Sequence, residues 1–77
     1  MKTIISCERG HSFHITKIHA HGALKERLMS LGFIKGVELT LLEYAPGKST
    51  VEIKVGKMRI ALRKEEAELI EVNCEKY

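Results

Sequence analysis

The chain has 77 residues, 30% charged and 44% hydrophobic, with 13 basic side chains against 10 acidic ones. This is too short for two cores, too apolar for a disordered tail, and too weakly basic for a dedicated nucleic-acid binder, whose Lys and Arg gather in a stripe. No apolar run approaches the roughly 20 residues of a membrane helix, and the opening "MKTIISCERG" is too poor in apolar residues for a signal peptide, so a single cytoplasmic domain over residues 1–77 is expected.

In "SFHITKI", Phe13 and Ile15 alternate with His14 and Thr16, but Ile18 falls out of phase, which predicts a strand with a bulge. "ALKERLMSL" places Leu24, Leu28 and Leu31 at i, i+4 and i+7, one stripe of an α-helix. Gly32 stands where a helix end favours positive φ, and Gly36 opens the next strand. Val37, Leu39 and Leu41 alternate with Glu38 and Thr40, the period of a half-buried strand. Pro46-Gly47 predicts a turn. Val51, Ile53 and Val55 then alternate up to Gly56-Lys57, a two-residue hairpin loop of type II′. Met58, Ile60 and Leu62 form the returning strand, "KEEAEL" a short helical turn with acids early, and "IEV" a last strand. The tail "NCEKY" is expected to be frayed or lightly docked.

With aromatic residues at only 5%, the core must be aliphatic. The fold class expected is mostly β: about five strands, one α-helix between the first and second long strands, and a short helical turn before the last. A meander this small leaves raw edges unless it curls up, so closure into a small barrel plugged by the helix is predicted.

"GALKERLMSLGFIKGVELTLLEYAPGKSTVEIKVGKMRIALRKEEAELIEV" resembles the FeoA family of ferrous iron transport proteins. Gly22-Ala23 precedes a helix end similar to the family's R-L-x-x-L-G at Arg27, Leu28, Leu31 and Gly32. Gly36 is similar to the glycine of the family's P-G turn, and the closing hairpin and helical turn match in order. The resemblance covers about residues 10–72. Lys35 departs from it, standing where the family usually has Pro, as do "APGKST" and the His-rich "CERGHSFH". The resemblance implies an SH3-like β-barrel; no cofactor is expected to be required, with Fe(II) or Zn left open. It implies contact with FeoB, a membrane transporter with a cytoplasmic G-domain, in place of chemistry. From the scarce aromatics, the weak net charge and the lack of a long apolar run, neither nucleic-acid binding nor membrane insertion is expected, and a homo-oligomer is left open.

The candidate partner-binding residues are Met29, off the helix stripe; Leu42 and Tyr44, out of phase in their strand; Pro46 at its turn; and Arg59 and Arg63. Against this stands a strand bend that turns Leu42 and Tyr44 inward, and a solvated face on which Arg59 and Arg63 oppose Glu52. The alternative function is a metal-binding protein or sensor for Fe(II) or Zn. Its ligands would be Cys7, His11, His14, His19 and His21, since imidazole and thiolate suit both metals. His14 and His19 need a bulge to share a face. Cys7 and Cys74 are expected to be free thiols in a reducing compartment, a bridge between them requiring that the termini meet. No P-loop and no catalytic constellation can be argued, so the chain is read as a non-enzyme.

Overall fold

The computed structural model describes residues 2–74, and its architecture is one sheet of five antiparallel strands. Strand β1 is Ser12–Ile18, helix α1 Gly22–Ser30, β2 Glu38–Tyr44, β3 Thr50–Val55, β4 Met58–Arg63, helix α2 Lys64–Ala67 and β5 Ile70–Val72. The sheet order is β4-β3-β2-β1-β5. Strand β1 is the pivot. Its first half pairs with β2, Phe13 opposite Leu39, and its second half pairs with β5, Ile18 opposite Ile70. The predicted bulge falls between Ile15 and Lys17, so Thr16 is the extra residue and the strand bends there from one set of partners to the other.

The apolar phase of each strand points into one core. Ile15, Leu39, Leu41, Val51, Ile53, Leu62 and Ile70 are fully buried, as are Leu28 and Phe33 from the helix and its exit. Helix α1 ends in a Schellman motif. The Phe33 N–H donates to the Leu28 carbonyl at 3.0 Å and the Gly32 N–H to the Met29 carbonyl at 3.0 Å. This puts Gly32 at φ +102, the left-handed region. Its missing side chain also matters for packing, since a Cβ would sit 3.1 Å from Val55 Cγ1. Gly36, at φ +91, then swings the chain back to β1: its N–H donates to the Ile15 carbonyl, and the Ile15 N–H to the Val37 carbonyl.

A second bulge, at Leu42 in β2, lies between the pairs Leu41–Ile53 and Glu43–Glu52. It resets the phase, so Glu43 stays out while Tyr44 turns toward the N-terminal segment. The Tyr44 hydroxyl donates to the Cys7 carbonyl at 2.7 Å, with the Ile4 and Ile5 carbonyls each at 3.2 Å. Burial raises the pKa of this phenol. The turn after it has Gly47 at φ +73 and the Lys48 N–H bonded to the Ala45 carbonyl, as Pro46-Gly47 predicts. At the next turn Gly56 takes positive φ while Lys57 does not, consistent with type II′.

The N-terminal segment corrects one expectation, that of free thiols. Ile4 is fully buried in a 3-10 turn, Ile4–Ser6, and Thr3 bridges Glu71, laying the segment along the outer edge of β5. The Val72 N–H donates to the Lys2 carbonyl at 2.9 Å. This brings the two ends of the chain together, and Cys7 and Cys74 are joined in a disulfide with their Cα atoms 5.9 Å apart, not held as free thiols. Of the tail expected to be frayed or lightly docked, Asn73 and Cys74 are docked: Asn73 accepts the His14 N–H at 2.7 Å and Cys74 is buried; residues 75–77 lie outside the described residues.

Candidate functional site

Beyond Ile15, β1 loses its neighbour on the β2 side. The last β1–β2 pair is His14 with Glu38, and the corner at Gly36 and Val37 meets Ile15 and goes no further. In an antiparallel pair alternate residues turn their backbone groups away from the partner. Over Thr16–Ile18 one side of the backbone is taken by β5, and among the described residues no strand lies on the other. That side opens on a groove of about 530 Å³, lined by Thr16, Lys17 and Ile18 of β1, Lys25 and Met29 of α1, and Ile34 and Lys35 of the corner. Three consecutive strand residues line it, as an edge does; a sheet face would present alternate ones.

The lining is part apolar and part basic. Met29 and Ile34 are 42% and 45% exposed, and with Met58 they are the large apolar side chains left open among the described residues. Lys17, Lys25 and Lys35 belong to the same lining, no carboxylate lines the groove, and none of these lysines joins the ion pairs of the described residues. The local fold explains the arrangement. Met29 lies beside the buried Leu28 and so off the core stripe. Ile34 and Lys35 fall in the short passage between the two glycines, where the chain has left the helix and not yet joined the sheet.

A second concavity, about 560 Å³, lies on another face between β2, its turn and β3, lined by Glu43, Tyr44, Ala45, Pro46, Thr50, Glu52 and Ala61. Its charge has the opposite sign and is already neutralised: Arg59 bonds Glu52 at 2.8 Å and Arg9 lies 3.5 Å from Glu43.

The six candidate docking residues therefore divide. Met29 is in the basic groove; Tyr44 and Pro46 line the acidic concavity; Leu42 is the half-buried extra residue of the bulge. The inward bend holds for Tyr44, whose hydroxyl pins the N-terminal segment. Arg59 is committed to Glu52, as the solvated-face reading had it. Arg63 opens α2: its backbone N–H donates to Glu66 Oε1 at 3.0 Å. That bond, with the Arg27 guanidinium 2.7 Å from the same carboxylate, holds Glu66 below the usual carboxylate range against a smaller opposing effect of burial. Reading the sequence missed Ile34, Lys17 and Lys25. The one available signal was Lys35, noted as a departure from the family pattern.

The metal-ligand candidates are dispersed. Cys7 is spent in the disulfide, which corrects its place in the set. His19 Nε2 lies 2.8 Å from Glu71 Oε1, half-buried, while His14 and His21 are exposed and His11 is half-buried at the start of β1. Among the described residues no three His, Cys, Asp or Glu side chains gather into a metal-holding group.

Comparison with known proteins places this geometry. The family model for the FeoA domain matches residues 2–74. A Campylobacter jejuni protein described as an Fe(2+) transport protein A is 34% identical over 71 residues, 92% of this chain and 96% of that one. A Helicobacter pylori protein of the same description is 40% identical over 48 residues, 62% of this chain; the match spans 63% of the relative. A Porphyromonas gingivalis protein described as an Fe(2+) transport protein A/Fe(2+) transporter FeoB fusion is 29% identical over 58 residues, 75% of this chain but only 7% of that much longer one. Among solved structures, iron(II) transport protein A from Clostridium thermocellum superposes with a TM-score of 0.88 at 34% identity, over 92% of this chain and 44% of that one. The Stenotrophomonas maltophilia FeoA, described as an SH3 domain protein complexed with zinc, superposes at 0.81 and 30% identity, over 95% of this chain and 91% of that one. The five-stranded architecture is thus SH3-like.

Proposed function

This chain belongs to the FeoA family of ferrous iron transport, and from that premise we propose that it is a non-enzymatic cytoplasmic accessory protein that acts by direct contact with a FeoB-type transporter. The single observation that carries the reading is the Porphyromonas gingivalis fusion, in which a stretch like this chain and a FeoB transporter share one polypeptide. Tethering raises effective concentration to the millimolar range, so a weak contact suffices within one chain. A separate chain must supply the same contact from its own surface. A small barrel with an apolar, basic groove offers such a surface. The test is capture of a FeoB-type transporter from native membranes by the immobilised chain. Specific retention supports the reading, and no binding at high micromolar concentration overturns it.

Metal binding is the second reading, favoured by the zinc complex of the Stenotrophomonas maltophilia relative. His11, His14, His19 and His21 would be the ligands here, from one stretch of chain. Anaerobic calorimetry with Fe(II) separates the two. Tight stoichiometric binding that is lost in a His11→Ala/His14→Ala variant would favour a metal carrier or sensor over a docking module.

A further inference from the structure

We propose that the groove between β1 and α1 receives an extended, acidic segment of the transporter's cytoplasmic part, which adds as a strand to the open side of Thr16–Ile18. The inference rests on the transporter reading and names its surface and the chemistry that fits it. Four observations converge on one place. The edge is open because β2 leaves β1 at the Gly36 corner, and the bulge at Thr16 bends the second half of β1 away. An open edge offers backbone N–H and C=O groups that an extended chain satisfies by main-chain pairing. The lining includes Ile18, Met29 and Ile34, which an alternating apolar segment would cover. The lining also includes Lys17, Lys25 and Lys35 with no acid among the lining residues, so the side chains of the incoming segment that face these lysines are carboxylates. The length is bounded as well: three strand residues at about 3.3 Å each make a contact of about 10 Å. A short motif fits this; a folded domain face does not. Methionine in the lining suits an adaptable contact of this kind.

The opposite concavity argues the same way by contrast. Its acids are already paired with Arg9 and Arg59, and the Tyr44 hydroxyl is bonded inward. Among the described residues, the basic groove is where apolar surface, charge outside the ion pairs and an open strand edge coincide.

The experiment titrates the purified full-length chain against a detergent-solubilised FeoB-type transporter. Beside the unchanged chain run Ile34→Asp, the double variant Lys17→Glu/Lys35→Glu, and Glu43→Lys as a control on the other concavity. All four should melt within a few degrees of one another, because every substituted side chain is exposed. The two groove variants should weaken binding by about tenfold or more, and the unchanged chain should lose affinity as salt is raised. Glu43→Lys should bind as the unchanged chain does. A photoreactive phenylalanine analogue at position 29 or 34 should crosslink to a transporter segment rich in Asp and Glu, and one at position 58 should not. Binding by the unchanged chain that the groove variants retain in full, or crosslinks to a basic or helical segment, would overturn the groove while leaving the transporter reading intact. Crosslinks between two copies of this chain, with concentration-dependent association abolished by Ile34→Asp, would overturn it by making a second copy the occupant. Failure of the unchanged chain to bind at all would overturn the transporter reading and this inference with it.

Discussion

Two stretches of sheet edge in this molecule are finished in opposite ways. The outer edge of β5 is covered by the N-terminal segment, which adds a bridge from Thr3 to Glu71, a hydrogen bond from Val72 to Lys2, the Tyr44 hydroxyl and the Cys7–Cys74 disulfide. Among the described residues the far side of Thr16–Ile18 on β1 has none of this; it faces a groove lined by apolar side chains and three lysines. An open strand edge presents unpaired backbone groups that another chain can pair with, whereas a covered edge does not. The covered seam should therefore govern stability and the open groove should govern binding, with little exchange between the two.

The largest way to break this contrast is at the disulfide. The bridge spans a sequence separation of 67, and the chain-entropy account gives such a crosslink about 4 kcal/mol. Reduction, or Cys7→Ser with Cys74→Ser, should lower the melting temperature sharply, as calorimetry will read, while leaving transporter affinity unchanged in the fraction still folded. Next is the corner. Gly32→Ala combines the left-handed backbone with a contact 3.1 Å from Val55 Cγ1 and should cost about 2–3 kcal/mol; Gly36→Ala, with open space around it, should cost about 1 kcal/mol. Chemical denaturation of both variants checks the difference. A Gly36→Ala variant as damaged as Gly32→Ala would mean that the corner is held by packing not seen at Gly36.

Tyr44→Phe sharpens the comparison from the seam side. It leaves the Cys7 carbonyl without its donor and should cost about 1–2 kcal/mol in denaturant titrations. The pH dependence follows from the raised phenol pKa. The folded state holds the proton more tightly than the unfolded one, so the contribution is complete below the ordinary value of 10.0 and is lost as the pH climbs through the raised value. The Phe variant should show a flatter alkaline limb. Smallest is Glu66→Gln. The Glu66 carboxyl is held low first by the Arg63 N–H and then by Arg27, so its contribution is present above 4.5 and fades as the pH falls through the lowered folded value. The variant should lose under about 1 kcal/mol at neutral pH and flatten the acid limb of a stability–pH curve.

Local periodicity made the sheet legible. The alternation of Leu39 with Leu41, and of Val51 with Ile53 and Val55, fixes which face is core, and the phase break between Ile15 and Ile18 marks the bulge where β1 changes partners. The seam was not legible, because its contacts join residues at opposite ends of the chain. Ile4 and Ile5 and one cysteine near each terminus were visible, yet nothing local says that they meet. Tyr44 was readable only as out of phase; the bulge at Leu42 decides which way it turns. The groove was less legible still. Ile34 sits in a passage with no period, and Lys17, Lys25 and Lys35 are separated along the chain and converge only when β1, α1 and the corner pack. An isolated lysine in a sequence reads as solvated surface, and only the fold brings three of them to one groove.

Amide hydrogen exchange on the full chain, read with and without the transporter, tests the contrast most directly. The account predicts that the Val72 amide, bonded to Lys2, exchanges slowly in both states, whereas the groove-side amides of Thr16–Ile18 exchange fast alone and slow markedly on binding. Slow exchange of those groove-side amides in the free chain, or a transporter footprint on the β5 seam in place of the groove, would contradict it.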